Sequence, residues 1–322
     1  MRCAIAIFAK SPVRGAVKTR LCPPLTPDQA TELYRAFLLD TMHVISELDG
    51  IEPGVLFTSG SGPSPSADSV PQRQWRGDIA HDARDDFRAL APSHFFLVPQ
   101  RGDGFGVRLA NGFHDLFALG YDAVAIMDAD SPTLPRAHIV ELFERLSEPG
   151  CDVSVGPCDD GGYWAICMKR LHPELLTGIT WSTELVLTQT LQRAQEANLK
   201  AVCAPTWYDV DTGEALERLR LELTNPLPYP GVDTPACTIQ ALALLTAGTT
   251  FPAHPVACSP SSADVVPSPT ADFVPQQQWS EGIAAPRVPA QVPASLDPGT
   301  LDAGTPLRAA EDRPPAGEPH VR

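Results

Sequence analysis

Short apolar runs alternate with amphipathic helical stretches over residues 1–248, and this alternation limits the possible folds more than any other feature of the sequence. The apolar, strand-like runs cover residues 3–9, 54–58, 95–98, 123–127 and 153–156. Helical spacing of apolar residues covers 105–119 and 135–146, and Thr26 with Gln29 forms a capping box that starts an earlier helix. The pattern predicts an α/β domain with a mainly parallel sheet, whose ligands bind beyond the carboxyl ends of the strands.

Two stretches depart from this alternation and set the domain organisation. Residues 249–322 are rich in proline, serine and alanine without periodicity, which predicts a disordered tail after a domain at 1–248. Residues 59–76 have a similar composition and are interpreted as a low-complexity surface insert. Segments 64–80 and 268–284 agree at 11 of 17 positions, which indicates a duplicated cassette rather than a solenoid repeat.

The charge and the cysteine content exclude several classes of protein. A net charge of -15 argues against sequence-independent binding to nucleic acid or to an anionic membrane, because both need a basic surface. The sequence has no apolar run long enough to span a membrane and no signal-peptide pattern, so we expect a cytoplasmic protein without a membrane span. Its eight cysteines form no CxxC pair, which favours reduced thiols over a disulfide framework or a zinc site.

Cationic side chains are concentrated in the loop FAKSPVRGAVKTRL, directly behind the first apolar run. Two of the four lysines of the chain, Lys10 and Lys18, lie in it together with Arg14, Arg20 and the conformationally free Gly15. In an acidic chain this concentration indicates a bound, phosphate-bearing small molecule, although any single cation could belong to a solvated turn. Gly15 stands three residues before Lys18, so the loop is not a P-loop. We expect Lys18→Ala to weaken nucleotide binding and to leave the fold intact, because a solvated loop cation contributes little to stability, whereas a phosphate contact contributes to binding.

Two aspartates follow the strand at 123–127 in the motif MDADSPTLP. The i, i+2 spacing of Asp128 and Asp130 places both carboxylates on one side of an extended backbone, where they repel each other unless a cation lies between them. Carboxylate oxygens suit Mg²⁺ or Mn²⁺, which predicts a metal site that also gathers diphosphate oxygens. The alternative is that Asp130 caps the next helix or orders the turn before Pro132.

Two further motifs carry carboxylates at predicted strand ends. In GPCDDGGYWAICM, Asp159 and Asp160 precede two glycines, so a carboxylate could accept a proton from a hydroxyl, although Asp-Gly is also typical of a hairpin turn. In WYDVDTGEALERL, Asp211 with Glu214 is interpreted as an N-cap and its capping-box partner. Asp209 has no capping role and is a candidate metal ligand.

The motifs FAKSPVRGAVKTRL, QRGDGFGVRL, MDADSPTLP, GPCDDGGYWAI and WYDVDT, in this order, resemble a bacterial family of GT-A-like transferases. Its members are assigned as glycosyltransferases or as radical-SAM/selenodomain-associated transferases, and the resemblance covers nearly all of residues 2–220. It implies the three-layer GT-A or nucleotide-diphospho-sugar transferase fold, which is shared with the guanylyltransferases that act on molybdenum cofactor and phospholactate. In that fold the N-terminal loop holds the phosphates of the nucleotide and the central aspartate holds the metal.

Applied position by position, the resemblance gives roles to loop and glycine-segment residues. The implied phosphate contacts in the first loop are Lys10, Gly15, Lys18 and Arg20, and the implied nucleotide or substrate contacts are Gly102, Gly106 and Arg108. Asp130 is the implied metal ligand. The family often has glycine where Asp128 stands, and Val107 replaces an acidic residue that many members carry just before the arginine.

These observations predict a metal-dependent transferase that uses an activated nucleotide. The leading hypothesis is glycosyl transfer from an NDP-sugar to an unknown small-molecule acceptor, with Mg²⁺ or Mn²⁺ and the basic loop stabilising the departing diphosphate. Asp160, with Asp159 beside it, is the candidate for acceptor orientation or base catalysis. The alternative is nucleotidyl transfer with release of pyrophosphate. A third possibility is a non-catalytic adaptor that acts through its proline-rich tail.

Overall fold

The computed structural model describes residues 1–58, 78–224 and 233–246. These residues form seven β-strands, namely β1 Cys3–Lys10, β2 Ile51–Thr58, β3 Phe96–Pro99, β4 Ala123–Met127, β5 Val153–Pro157, β6 Tyr163–Met168 and β7 Ala201–Cys203. They also form seven α-helices, namely α1 Pro27–Ser46, α2 Asp78–Leu90, α3 Phe105–Ala118, α4 Arg136–Ser147, α5 Val186–Glu196, α6 Gly213–Thr224 and α7 Ala236–Thr246. Every predicted strand is present, with ends that differ from the prediction by three residues or fewer.

The seven strands form one mixed sheet in the order β3-β2-β1-β4-β6-β5-β7. Strand β1 pairs in parallel with both β2 and β4, whereas β6 pairs antiparallel with β4 and β5. Six strands therefore run in one direction and β6 alone runs in the other. The chain leaves β1 toward β2 and β3 on one side and continues from β4 on the other, which makes the β1/β4 boundary the switch point where ligands bind in such sheets.

Helices cover both faces of the sheet, so the predicted three-layer α/β fold is confirmed. Alternate residues of β1 enter opposite cores: Ile5 and Ile7 pack with α1, α2, α4, α6 and α7, and Ala4 and Ala6 pack with α3 and α5. The capping box that starts α1 is also confirmed, because Gln29 N donates to Thr26 Oγ1 at 3.3 Å and Thr26 N donates to Gln29 Oε1 at 2.8 Å. Within the described ranges, no helix is both long and apolar enough to cross a membrane.

The predicted insert at 59–76 and tail at 249–322 lie outside the described residues, so the domain boundary near residue 248 stays a prediction. Cys258 lies outside them as well. The seven other cysteines are free thiols, as the sequence predicts, and four of the seven are buried.

Candidate active site

Several strand ends meet at one edge of the sheet and line a cleft. Strands β1, β4 and β5 end at this edge, and β6 begins there because it runs in the opposite direction. The cleft has a volume of about 310 Å³. Its charged lining residues are Lys10, Lys18, Arg20, Arg108, Asp128, Asp130 and Asp211. The topology therefore brings the basic loop and the MDADSPTLP motif together at the switch point.

The buried ammonium group of Lys18 lies at the centre of this cleft. Its Nζ atom is 2.8 Å from Asp130 Oδ1 and 2.7 Å from Asp211 Oδ1, and it donates to the carbonyl oxygen of Val210 at 2.9 Å. The Lys18 side chain is only 3% exposed, and its backbone adopts the left-handed conformation, with φ of 47°. Two of the three N–H donors of the ammonium group are hydrogen-bonded, to Asp211 and Val210, and Asp130 lies within ion-pair distance.

This geometry corrects the expectation that Lys18 is a solvated loop cation. Burial lowers the pKa of Lys18, but the two nearby carboxylates outweigh burial and raise it above its ordinary value, so the side chain stays protonated. For Asp211, burial raises the pKa, and Lys18 and Arg20 together bring it below the ordinary value. Lys18 therefore serves as the counter-ion of two carboxylates in this state.

Asp211 is a site residue that the sequence interpretation missed. The predicted N-cap of α6 at Asp211 is wrong, because the Thr212 hydroxyl accepts the Ala215 N–H at 3.2 Å and caps the helix instead. The Asp211 carboxylate is thereby free to face Lys18. Residues 207–211 are held against the strand ends by the Cys158–Trp207 bridge and by the Val210 N–H, which donates to Asp130 O at 2.8 Å.

The two aspartates after β4 have different roles. Asp128 Oδ1 accepts the Asp130 N–H at 3.1 Å and so orders the turn, and its own N–H donates to Trp164 O at 3.0 Å. The alternative that Asp130 caps the next helix is wrong, because α4 begins after Pro135 without a side-chain cap. Burial raises the pKa of Asp128 well above its ordinary value, and the neighbouring charge of Asp130 raises it further.

The remaining cations of the first loop differ in their relation to the cleft. Lys10 lies exposed at the end of β1 on the cleft wall, and Arg20 lines it with a side chain that is 62% exposed. Arg14 points away from the cleft and pairs with Asp28 at 2.7 Å on the surface. Gly15 has a positive φ of 75° and no atom within 4 Å of a notional Cβ, so it gives the loop a tight turn in open space.

The glycine segment that enters the first turn of α3 contributes Arg108 to the cleft, and its glycines do not line the cleft. Arg108 lines the cleft, and its Nε is buried without a hydrogen-bond partner among the described residues. Gly106 is buried where a Cβ would lie 2.6 Å from Leu176 O, so glycine is needed for α3 to pack closely. Gly102 has a φ of 99° and places the turn that precedes α3.

A wider basin of about 1050 Å³ adjoins the cleft and contains the acidic residues that follow β5. Asp159 forms an ion pair with Arg218 at 2.6 Å, and the Arg218 guanidinium stacks 3.7 Å from the centre of the Tyr208 ring. Asp160 Oδ1 accepts the Gly162 N–H at 2.7 Å within the β5–β6 hairpin turn. Burial, together with the nearby charge of Asp160, raises the pKa of Asp209 to about 7.

Aromatic side chains form the wall between the cleft and the basin. The ring of Phe105, at the first position of α3, lies 5.2 Å from that of Phe8 and 4.7 Å from that of Trp181. Tyr163 lines both spaces and meets Trp181 edge-on. A flat apolar wall beside charged groups suits the stacking of a base or a sugar.

The three-layer α/β fold is shared with known proteins. A family model described as "Uncharacterized protein conserved in bacteria (DUF2064)" matches residues 72–183. A crystal structure from Desulfovibrio desulfuricans G20, of a protein assigned as a nucleotide-diphospho-sugar transferase, has 26% sequence identity and a TM-score of 0.61. The match covers 78% of this chain and 99% of that chain. The chain belongs to the nucleotide-diphospho-sugar transferase superfamily.

Membership of this superfamily confirms the predicted transferase class. A cytidylyltransferase from Leptospira borgpetersenii has 11% identity, a TM-score of 0.42 and coverage of 77% of this chain and 95% of that chain. A mannosyltransferase from Pyrobaculum calidifontis in complex with GDP-Man and Mn²⁺ has 14% identity, a TM-score of 0.35 and coverage of 78% and 76%. At these values the likeness carries no information about activity. No curated protein matches the sequence.

Proposed function

We propose that the protein transfers the glycosyl group of an NDP-sugar to a small-molecule acceptor, with the help of Mg²⁺ or Mn²⁺. The observation that carries this proposal is the convergence of Asp130, Asp211 and the Val210 carbonyl on one cation at the switch point. Basic side chains surround this point, and a basin large enough for a second substrate adjoins it. A nucleotide diphosphate needs such cations, and an acceptor needs such space.

The oxygen atoms around Lys18 also meet the needs of a divalent cation. Mg²⁺ and Mn²⁺ prefer carboxylate and carbonyl oxygens, and three such atoms lie within 2.9 Å of one position that is already adapted to positive charge. Asp130 and Asp211 are the residues that would hold the ion, with Asp128 beside them. Once bound, the ion would supply positive charge to the departing diphosphate.

Lys18 then has a second role in the proposal. With a divalent cation held by Asp130 and Asp211, the Lys18 ammonium would no longer be the counter-ion of these carboxylates, and its donors to them would be available to the nucleotide phosphates. Lys10, Arg20 and Arg108 line the same cleft and are proposed to bind phosphate oxygens by charge-assisted hydrogen bonds. The positive charges would stabilise the charge that develops on the leaving diphosphate.

Asp160 is the proposed group that orients the acceptor or takes its proton. Of the two neighbouring aspartates it is the better candidate, because Asp159 is already neutralised by Arg218. The hairpin turn fixes the Asp160 carboxylate through the Gly162 N–H, and Asp160 lines the basin.

A panel of NDP-sugars and NTPs with Mg²⁺ or Mn²⁺ tests the proposal, with separate detection of released NDP and pyrophosphate. Release of NDP that depends on an acceptor supports glycosyl transfer, whereas pyrophosphate release indicates nucleotidyl transfer by the same site. Failure to bind any nucleotide would contradict both and favour the adaptor hypothesis.

Asp130→Asn should abolish metal-dependent turnover, and Asp128→Asn should reduce it less. Asp122→Asn, at the opposite edge of the sheet, serves as the matched control.

A further inference from the structure

We propose that Cys158, Asp160 and Asp209 form a second cation site, which binds a thiolate-tolerant divalent ion such as Zn²⁺ or Co²⁺ in the basin that adjoins the cleft. One ligand atom from each of these residues, the Cys158 Sγ and a carboxylate oxygen of each aspartate, lies within 4.8 Å of the others. In the part of the chain that the structure describes, no other group of three such residues meets this criterion.

The distribution of counter-ions sets these carboxylates apart from the other acidic residues of the site. Lys18 neutralises Asp130 and Asp211, and Arg218 neutralises Asp159. Among the described residues, neither Asp160 nor Asp209 has a cationic side chain within ion-pair distance. Two adjacent carboxylates without an internal cation repel each other, and the repulsion is relieved by a proton or by a bound ion.

The buried Cys158 thiol is an independent observation that indicates a bound ion. Its side chain is 6% exposed, and no hydrogen-bond partner holds its sulfur among the residues that the structure describes. Cys158 follows β5 directly, and the Cys158 N–H donates to Gly162 O at 3.0 Å, so its backbone is fixed by the hairpin. The sulfur packs against the apolar core on one side and lies within 4.8 Å of a carboxylate oxygen of Asp160 and of Asp209 on the other.

The ligand set decides which class of ion fits. Thiolate sulfur is a soft ligand that Mg²⁺ avoids, whereas Zn²⁺ and similar ions bind sulfur at about 2.3 Å and carboxylate oxygen at about 2.0–2.2 Å. A tetrahedral ion with these bond lengths keeps its ligand atoms about 3.5 Å apart, which requires side-chain shifts of about 1 Å here. Binding also displaces the thiol proton, which burial and the adjacent carboxylates otherwise retain by raising the pKa of Cys158.

Three protein ligands leave the fourth position of such an ion open toward the basin, as in catalytic rather than structural sites. If the proposed function holds, an acceptor hydroxyl oxygen would take this position, next to Asp160. The site itself does not depend on that function, because it is built from residues outside the phosphate-binding cleft.

Titration of EDTA-treated, full-length protein with Co²⁺ tests the site without nucleotide or turnover. A thiolate-to-Co²⁺ charge-transfer band in the near ultraviolet should saturate at one ion per chain. Cys158→Ser should abolish the band, and Asp209→Asn should weaken Co²⁺ affinity at least tenfold. Cys203→Ser, which removes an exposed thiol, is the matched control and should leave the band unchanged. Asp130→Asn should also keep the band, because that carboxylate belongs to the other site.

A band that persists in Cys158→Ser, or that disappears in Cys203→Ser, overturns the proposal. If Cys158→Ser does not fold, as judged by circular dichroism and thermal melting, the Asp209→Asn titration decides, and unchanged Co²⁺ affinity then refutes the site. A cobalt band together with inactivity toward every NDP-sugar would retain this site and reject the glycosyltransferase proposal. Turnover without any cobalt band would reject this site and retain the glycosyltransferase proposal.

Discussion

Replacement of Lys18 by methionine should destabilise the protein, because it removes the buried counter-ion of Asp130 and Asp211 and leaves only the exposed Arg20, 3.6 Å from Asp211. Removal of one partner from a buried ion pair costs about 3–5 kcal/mol. The Asp130 and Asp211 side chains are 27% and 35% exposed, so water recovers part of this cost. We therefore expect the free energy of unfolding to fall by about 2–4 kcal/mol, which lowers the melting temperature of a domain of this size by about 4–16 °C.

Urea denaturation of the full-length protein at pH 7.5 measures this effect, and two further variants test its cause. Lys200→Met removes a lysine whose side chain is 51% exposed and should change stability by no more than about 0.5 kcal/mol. The triple variant Lys18→Met, Asp130→Asn and Asp211→Asn removes the cation and both anions, and should recover at least half of the loss.

Acidification gives an independent check on the same reasoning. Burial already raises the pKa of Asp130 in the parent, and loss of Lys18 raises it further; the pKa of Asp211, which Lys18 helps to keep below its ordinary value, rises as well. The folded variant therefore takes up protons more readily as the pH falls, and its stability deficit relative to the parent should shrink between pH 7.5 and pH 5. If Lys18→Met is as stable as the parent at pH 7.5, Lys18 is a solvated loop cation and the buried counter-ion model is refuted.

Three other predictions concern separate parts of the molecule. Asp211→Asn should reduce metal-dependent turnover as severely as Asp130→Asn in a Mn²⁺ titration of activity, because both carboxylates face the same cation; wild-type activity in Asp211→Asn would contradict this. Burial lowers the pKa of His138, so the folded protein should lose stability as the pH falls below about 6.5, and His138→Phe should lose less in urea melts at pH 7.5 and 5.5. Truncation after Gly248 should leave the melting temperature and nucleotide binding unchanged, whereas a truncation that also removes α7 should lower the melting temperature, since the buried Asp40 accepts two N–H groups at the start of α7.

Local features of the chain, such as strand bounds and helix caps, could be predicted from the sequence. The strand at residues 123–127 has the predicted bounds, and the capping box at Thr26 forms as expected, because the periodicity of apolar residues and the spacing of capping groups depend only on near neighbours. The position of Asp128 and Asp130 at a strand end also followed from the pattern. The sequence motifs, in their order, further indicated the superfamily.

The relations between distant segments were decided only by the tertiary structure. Local spacing made Asp211 resemble a helix cap, but the backbone brings it to Lys18, which is 193 residues earlier in the chain. The hairpin alternative for the Asp-Gly motif is confirmed by the antiparallel pairing of β5 and β6, but the sequence did not show that this turn places Asp160 at the ligand edge. The sequence places four cationic side chains in the first loop, but it does not show that their surroundings differ in the folded protein. Arg14 pairs on the surface, whereas Lys18 is drawn into the interior by two carboxylates whose charge it balances. The pattern of residue types shows which charged side chains the chain contains. The role of each depends on whether its charge is buried, and burial depends on contacts between distant segments of the domain.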